Sequence, residues 1–89
     1  MDWNSYPTPH PQVAARVVDG SAVIVLADTG EVTVLNPVGT RVWELCDGSR
    51  SAREIAEMIA AEFQVAPAQA LQDVEDFLKE LVQAQAVVL

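Results

Sequence analysis

Between Val34 and Ile55 the chain reads VLNPVGTRVWELCDGSRSAREI, and this stretch constrains the fold more than any other. It ends an extended segment, starts and stops one helix, and starts a second. Asn36 suits an N-cap, because its side-chain oxygen accepts a first-turn amide, and Pro37 follows at the first helical position, where a missing amide costs nothing. Val38, Val42, Trp43, Leu45 and Cys46 form the apolar stripe of a short helix. Asp47-Gly48 ends it, with Gly48 suited to left-handed backbone. Ser51 and Glu54 have capping-box spacing at the head of the next helix, whose inner side is Ile55, Ile59 and Phe63 with Ala56 and Met58. QVAP breaks that helix. A third is predicted from about Pro67 to Ala84, with Leu71, Val74, Leu78 and Leu81 as its inner stripe.

Upstream the period changes. VAARVV runs into Asp19-Gly20 and is followed at once by SAVIVLA, a hairpin signal, and the second run is apolar enough for a central strand. A second turn, DTGE from Asp28 to Glu31, leads to a third run, VTVL. The order β-β-β-α-α-α predicts an α+β, winged-helix-like fold, a three-stranded antiparallel sheet followed by three helices. The terminal VVL reads as extended and able to return to the sheet. Residues 13–89 form the domain. Residues 1–12 are expected to be a flexible arm, because Pro7, Pro9 and Pro11 lack amide donors. Its aromatics, Trp3 and Tyr6, suit it to fill a groove elsewhere on the chain.

Eighty-nine residues, 51% of them hydrophobic, suffice for one modest core. The single cysteine, Cys46, excludes an internal disulfide and reads as a buried small hydrophobe. No segment has the length and hydropathy of a membrane span or the pattern of a secretory signal, so a soluble cytoplasmic protein is expected. Thirteen acids against five bases give a net charge of −8, which repels polyanions and favours basic partners. A winged helix invites a DNA-binding reading, but the third helix carries four acids and one lysine, Lys79. Catalytic groups are lacking as well. There is no Gly-rich phosphate loop, the one histidine, His10, lies in the arm, and the helix carboxylates Glu54, Glu57, Glu62, Asp73, Glu75, Asp76 and Glu80 occupy solvent-facing positions. The chain reads as a non-enzyme with no catalytic residue, metal site or cofactor.

An interaction module remains. The third strand ends where the chain turns helical, leaving one edge unpaired and open to an extended peptide. Along it Val32 and Val34 point to one face, Thr33 and Leu35 to the other. Phe77 lies off the main stripe of the third helix, on a side with Ala70, Asp73, Glu80 and Ala84. Either it widens the core-facing stripe, or it floors a groove against the edge strand, with Asp73 and Glu80 on the rim to meet basic residues. The pattern leaves both open.

The ordered set resembles the PqqD-like family across residues 13–89: a TG turn and short strand, LN with small Gly39, the pair Val42-Trp43, DG, a Ser-started helix with Glu54-Ile55, and Asp73-Val74 with Phe77-Leu78. The resemblance implies a non-catalytic, stand-alone leader-peptide-binding domain, a RiPP recognition element, that captures the leader of a ribosomally made precursor and presents it to a modifying enzyme. It implies a peptide added as a strand along Glu31, Val32, Thr33, Val34 and Leu35 and lying against the third helix. Side-chain contacts would come from Val32, Val34, Ala70, Asp73, Phe77 and Glu80. The chain departs from quinone-pathway members in lacking a Pro-Glu pair in the strand and a Gly-Leu near the end. These departures favour another peptide pathway, such as a lasso-peptide one with a separate leader peptidase. The competing readings are a peptide chaperone of pyrroloquinoline quinone synthesis and a winged-helix DNA-binding or dimerisation domain. A homodimer through the third-strand edge is compatible with the leader-binding reading.

Overall fold

The computed structural model describes residues 1–26 and 29–89. The Asp28 part of the expected DTGE turn lies outside the described residues. The elements are β1 (Thr8–Pro9), β2 (Ala14–Val18), β3 (Ser21–Val25), β4 (Val32–Val34), α1 (Pro37–Leu45), α2 (Ala52–Phe63), α3 (Pro67–Gln83) and β5 (Val87–Val88). Strands β2, β3 and β4 form an antiparallel sheet in that order, so the α+β expectation of a three-stranded meander followed by three helices holds. The hairpin turns at Asp19 and Gly20, both at positive φ, and β4 lies at the sheet's edge.

The helix signals act as the residues dictate. Asn36 Oδ1 accepts from the Gly39 amide at 2.7 Å, with Pro37 opening α1. Ser51 and Glu54 close a reciprocal capping box on α2. One core joins Ile24 and Leu35 of the sheet side to Val42, Trp43 and Leu45 of α1, Ile55 and Ile59 of α2, and Val74, Leu78 and Leu81 of α3. The inner stripe of α3 is turned slightly from the expected one. Ala70 is buried and Leu71 half-buried, so the stripe runs 70, 74, 78, 81, while Leu71 borders a shallow depression with Ala56, Ala60 and Pro67.

The flexible arm expected of residues 1–12 is corrected by the structure. β1 pairs with β5, Thr8 opposite Val88 and Pro9 opposite Val87, and Pro7 is fully buried. The carbonyls of Trp3, Ser5 and Pro7 accept from the amides of Arg53, Ala52 and Gly48 at 3.0, 2.9 and 3.0 Å. Two of those donors open α2, where first-turn amides have no partner within the helix. Proline removes donors, but docking here uses the arm's acceptors, so the prolines are no obstacle. Gly48 is needed twice, for its φ of 81° and because a Cβ there would lie 2.6 Å from Thr8 Cγ2. The C-terminal strand likewise returns to β1 rather than to the three-stranded sheet. Trp3 packs against the core, so the arm does not fill a groove beside β4.

Cys46 is 1% exposed, as its apolar flanks suggest. Burial first, and then the neighbouring Asp47 charge, push its thiol up to about 12. An unfolded chain would ionise it near its ordinary value of about 8.5. Its contribution to stability is therefore complete below that value and is lost as pH rises toward 12, by at most ~1.4 kcal/mol per pH unit. Urea unfolding should show wild type losing stability relative to Cys46→Ala between pH 8 and pH 10; parallel curves would mean the thiol is not protected. Deleting residues 1–11 should cost about 2–4 kcal/mol, at roughly 1 kcal/mol for each of the three docking hydrogen bonds plus the burial of Pro7. An unchanged urea midpoint would show the arm undocked.

Candidate functional site

The open edge is set by hydrogen-bond alternation. The Leu35 amide donates to Ala22 O at 2.8 Å and the Leu26 amide to Glu31 O at 2.9 Å, while Thr33 stands opposite Ile24. In an antiparallel ladder successive residues turn their polar groups to opposite sides. Glu31, Thr33 and Leu35 therefore bond inward to β3, and the amides and carbonyls of Val32 and Val34 point out from the sheet. Among the described residues no strand pairs with that side of β4. The order ends abruptly at Leu35, because Asn36 caps α1 at the next residue.

Side chains alternate with the same period, from one face of the sheet to the other. Leu35 is buried toward the helices, which places Thr33 and Glu31 on the same face. Thr33 lines a cavity of about 150 Å³ with Ile24, Leu26, Phe77, Glu80 and Leu81. Val32 and Val34, 62% and 66% exposed, stand on the opposite face beside their cross-strand neighbours Val25 and Val23. Of the expected side-chain contacts, Val32 and Val34 are thus turned away from the helix side. Thr33, expected only for its backbone, is the strand side chain that faces Phe77.

Phe77 joins two spaces. It borders the cavity beside Thr33 and also a larger cleft of about 470 Å³ between α1 and α3, walled by Val38, Gly39, Val42 and Val74. Glu80 also lines both, so the two spaces adjoin at these side chains, one beside Thr33 of β4 and the other beside the start of α1. Phe77 packs against the core and also lines both spaces. Gly39 explains how the ring fits. A Cβ there would lie 3.1 Å from Phe77 Cζ and 3.1 Å from Asn36 Oδ1. Val38, expected in the apolar stripe of α1, is half-buried and lines the cleft.

Asp73 and Glu80 lie on the rim as expected, and Asp76 joins them. Gln69 Nε2 donates to Asp73 Oδ1 at 2.8 Å and Gln72 Nε2 to Asp76 Oδ1 at 3.0 Å. Ala70 is corrected: at 1% exposure it supports the helix packing and has no surface to offer. Sequence reasoning missed Val38, Val42 and Asp76 as groove residues. The signal was a glycine within an amphipathic stripe facing an off-stripe aromatic. Away from the groove, Arg41 grips Glu62 through two hydrogen bonds of 2.8 and 2.9 Å, tying α1 to α2. That contact holds the Glu62 carboxyl below, and the Arg41 guanidinium above, their ordinary values. Among the described residues no group of three His, Cys, Asp or Glu side chains could hold a metal ion, and no helix is long and apolar enough to cross a membrane.

A small α+β domain with a bare sheet edge above an apolar, acid-rimmed groove defines a class of binding module. The model of the family Coenzyme PQQ synthesis protein D (PqqD) matches residues 21–87, and the chain belongs to that family. Comparison with curated proteins finds no match. Three solved structures share the fold. TbiB1, solved in complex with the TbiA(beta) leader peptide, is 28% identical with a TM-score of 0.83, over 90% of this chain and 93% of that one. Lasso peptide synthetase B1 complexed with the leader peptide is 16% identical with a TM-score of 0.84, over 96% and 100%. The PqqD truncation of Methylobacterium extorquens PqqCD, described as a stand-alone RiPP recognition element, is 20% identical with a TM-score of 0.74, over 93% and 88%.

Gly39→Ala tests the floor of the groove. Alanine favours the helix by up to about 1 kcal/mol over glycine, while the 3.1 Å approach pushes the Phe77 ring outward. Stability should change by about 1 kcal/mol or less, and the methyl NMR signals of Val38 and Val42 should shift as the ring moves; unmoved methyls would refute the close contact.

Proposed function

We propose that this chain is a non-catalytic module that captures the leader of a ribosomally synthesised precursor peptide and presents it to a modifying enzyme. The reading rests on one observation: the outward amides and carbonyls of Val32 and Val34 lie beside a groove floored by Phe77. The leader adds to β4 as a further antiparallel or parallel strand. Backbone bonds supply affinity, and alternate leader side chains enter the groove. Within the expected segment Glu31 to Leu35 the backbone contacts come from Val32 and Val34, with Thr33, Val38, Phe77, Asp73 and Glu80 beside them. Membership of the PqqD family and the likeness to two proteins solved with leader peptides support this reading.

Within that reading we place the chain in a lasso-type pathway, with a separate leader peptidase as its partner, rather than in quinone-cofactor synthesis. The 28% identity to TbiB1 over nine-tenths of the chain favours this, as does the lack of the Pro-Glu and Gly-Leu pairs. The chain itself performs no chemistry: its thiol is buried with its ionisation suppressed, and its one histidine lies in the docked arm. The same β4 edge can pair with a second copy, so self-association and leader binding compete for it.

Amide NMR titration with the leader of the precursor encoded beside this chain's gene should shift signals from residues 31–35, Val38, Phe77 and neighbouring α3 residues. The sharper test is Val34→Pro. Its amide points away from β3, and edge strands tolerate proline where the N–H faces solvent, so the fold should survive. Losing that donor should weaken leader binding by about tenfold, at roughly 1–1.5 kcal/mol per hydrogen bond. A folded Val34→Pro protein with unchanged affinity would exclude strand addition at this edge.

A further inference from the structure

The acids of this chain do not all have the same surroundings. Glu54 closes the capping box, Asp47 accepts from Ser49 and Arg50, Glu62 grips Arg41, and Glu75 pairs with Lys79. Among the described residues, Asp73, Asp76 and Glu80 have no cationic partner, and these three border the 470 Å³ cleft together. Their spacing of i, i+3 and i+7 puts them on one face of α3. Two have their rotamers fixed by glutamine amides one turn back. No lysine, arginine or histidine is among the cleft's lining residues, and Arg41, on the neighbouring helix, is engaged by Glu62 and Glu44.

Resting on the leader-binding reading, we infer that this groove selects a leader segment carrying a lysine or arginine next to an apolar side chain. Asp73, Asp76 and Glu80 are the residues that determine that preference. The apolar walls Val38, Val42, Val74 and Phe77 take the aliphatic or aromatic group. They also lower the local dielectric and exclude counter-ions, which strengthens the field of carboxylates at their rim. An extended peptide sends every second side chain to one face, so an apolar residue at one groove-facing position and a cation at the next can occupy floor and rim together. The cation's long methylene stem can lie along the Phe77 ring while its head reaches the carboxylates. An acidic residue at the same position meets three like charges, so the rim rejects as well as attracts.

The test uses the synthetic leader of the adjacent precursor gene, fluorescently labelled. Each groove-facing position is made in turn as Lys, Gln and Glu, and binding to the full chain is read by anisotropy. At one position Lys should exceed Gln by about tenfold and Glu by more, with the preference shrinking as salt rises from 50 to 500 mM. The triple variant Asp73→Asn, Asp76→Asn, Glu80→Gln keeps side-chain shape at exposed positions. It should fold, as checked by its melting curve, and bind the three peptides alike. Equal binding of Lys, Gln and Glu versions at every position by wild type would overturn the charge inference while leaving leader binding intact. The same holds for a preference that survives in the triple variant. Failure of every peptide, the unaltered leader included, to bind at millimolar concentration would overturn the leader-binding reading and this inference with it.

Discussion

The Thr40 hydroxyl is the joint on which the rest of the structure turns. It accepts from the Ala22 amide at 2.9 Å and donates to the Leu35 carbonyl at 3.3 Å, standing in for a ladder bond between β3 and the end of β4. A side chain of α1 thus completes the sheet. Both backbone groups are buried, and each would cost about 1–3 kcal/mol if left unpaired. The joint fixes where α1 starts relative to β4, which forces the chain to leave the sheet at Asn36. Because it leaves there, nothing from the next segment covers the outer side of β4. The open edge is a consequence of how helix and sheet are tied, and it needs no separate device.

The same junction sets the groove. With α1 anchored at Thr40, Gly39 faces α3 one residue earlier, and its missing Cβ lets the Phe77 ring approach to van der Waals distance. A larger residue would push the ring outward and fill the space it now borders. The Asn36 side chain both caps α1 and lines the cleft, so the cap and the groove are parts of one local structure.

Much of this was legible in the sequence because it depends on local chemistry. Asn36-Pro37, Ser51 with Glu54, Asp19-Gly20 and the apolar periods are short-range signals, and they place the strands and helices. The family pattern pointed to β4 and α3 for the same reason, being written in those signals. What could not be read depends on partners distant in the chain. The docked arm is held by acceptors of residues 3, 5 and 7 meeting the amides of Arg53, Ala52 and Gly48, more than forty residues on, and proline-based reasoning counts only donors. The rotation of α3 that buries Ala70 and releases Leu71 is fixed by packing on α2, to which a stripe of leucines is nearly blind. The alternation of Val32 and Val34 against Thr33 and Leu35 was legible, but not which of the two pairs looks at the helices. Period two tells which residues share a face, but only the burial of Leu35 tells which face looks at the helices.

That register matters for how such a module can combine tolerance with choice. The polar backbone groups at the edge belong to Val32 and Val34, whose side chains face away, so on the leader-binding reading they would pair with an extended segment whatever its residues. On the leader-binding reading, choice would then come from other side chains: Thr33 on the strand, Phe77 beneath it, and the carboxylates of α3 beyond. Backbone recognition and side-chain recognition sit on different residues, so substitution can alter one without disturbing the other. A domain built this way can keep its fold and its mode of binding while the rim of one helix changes the peptides it accepts.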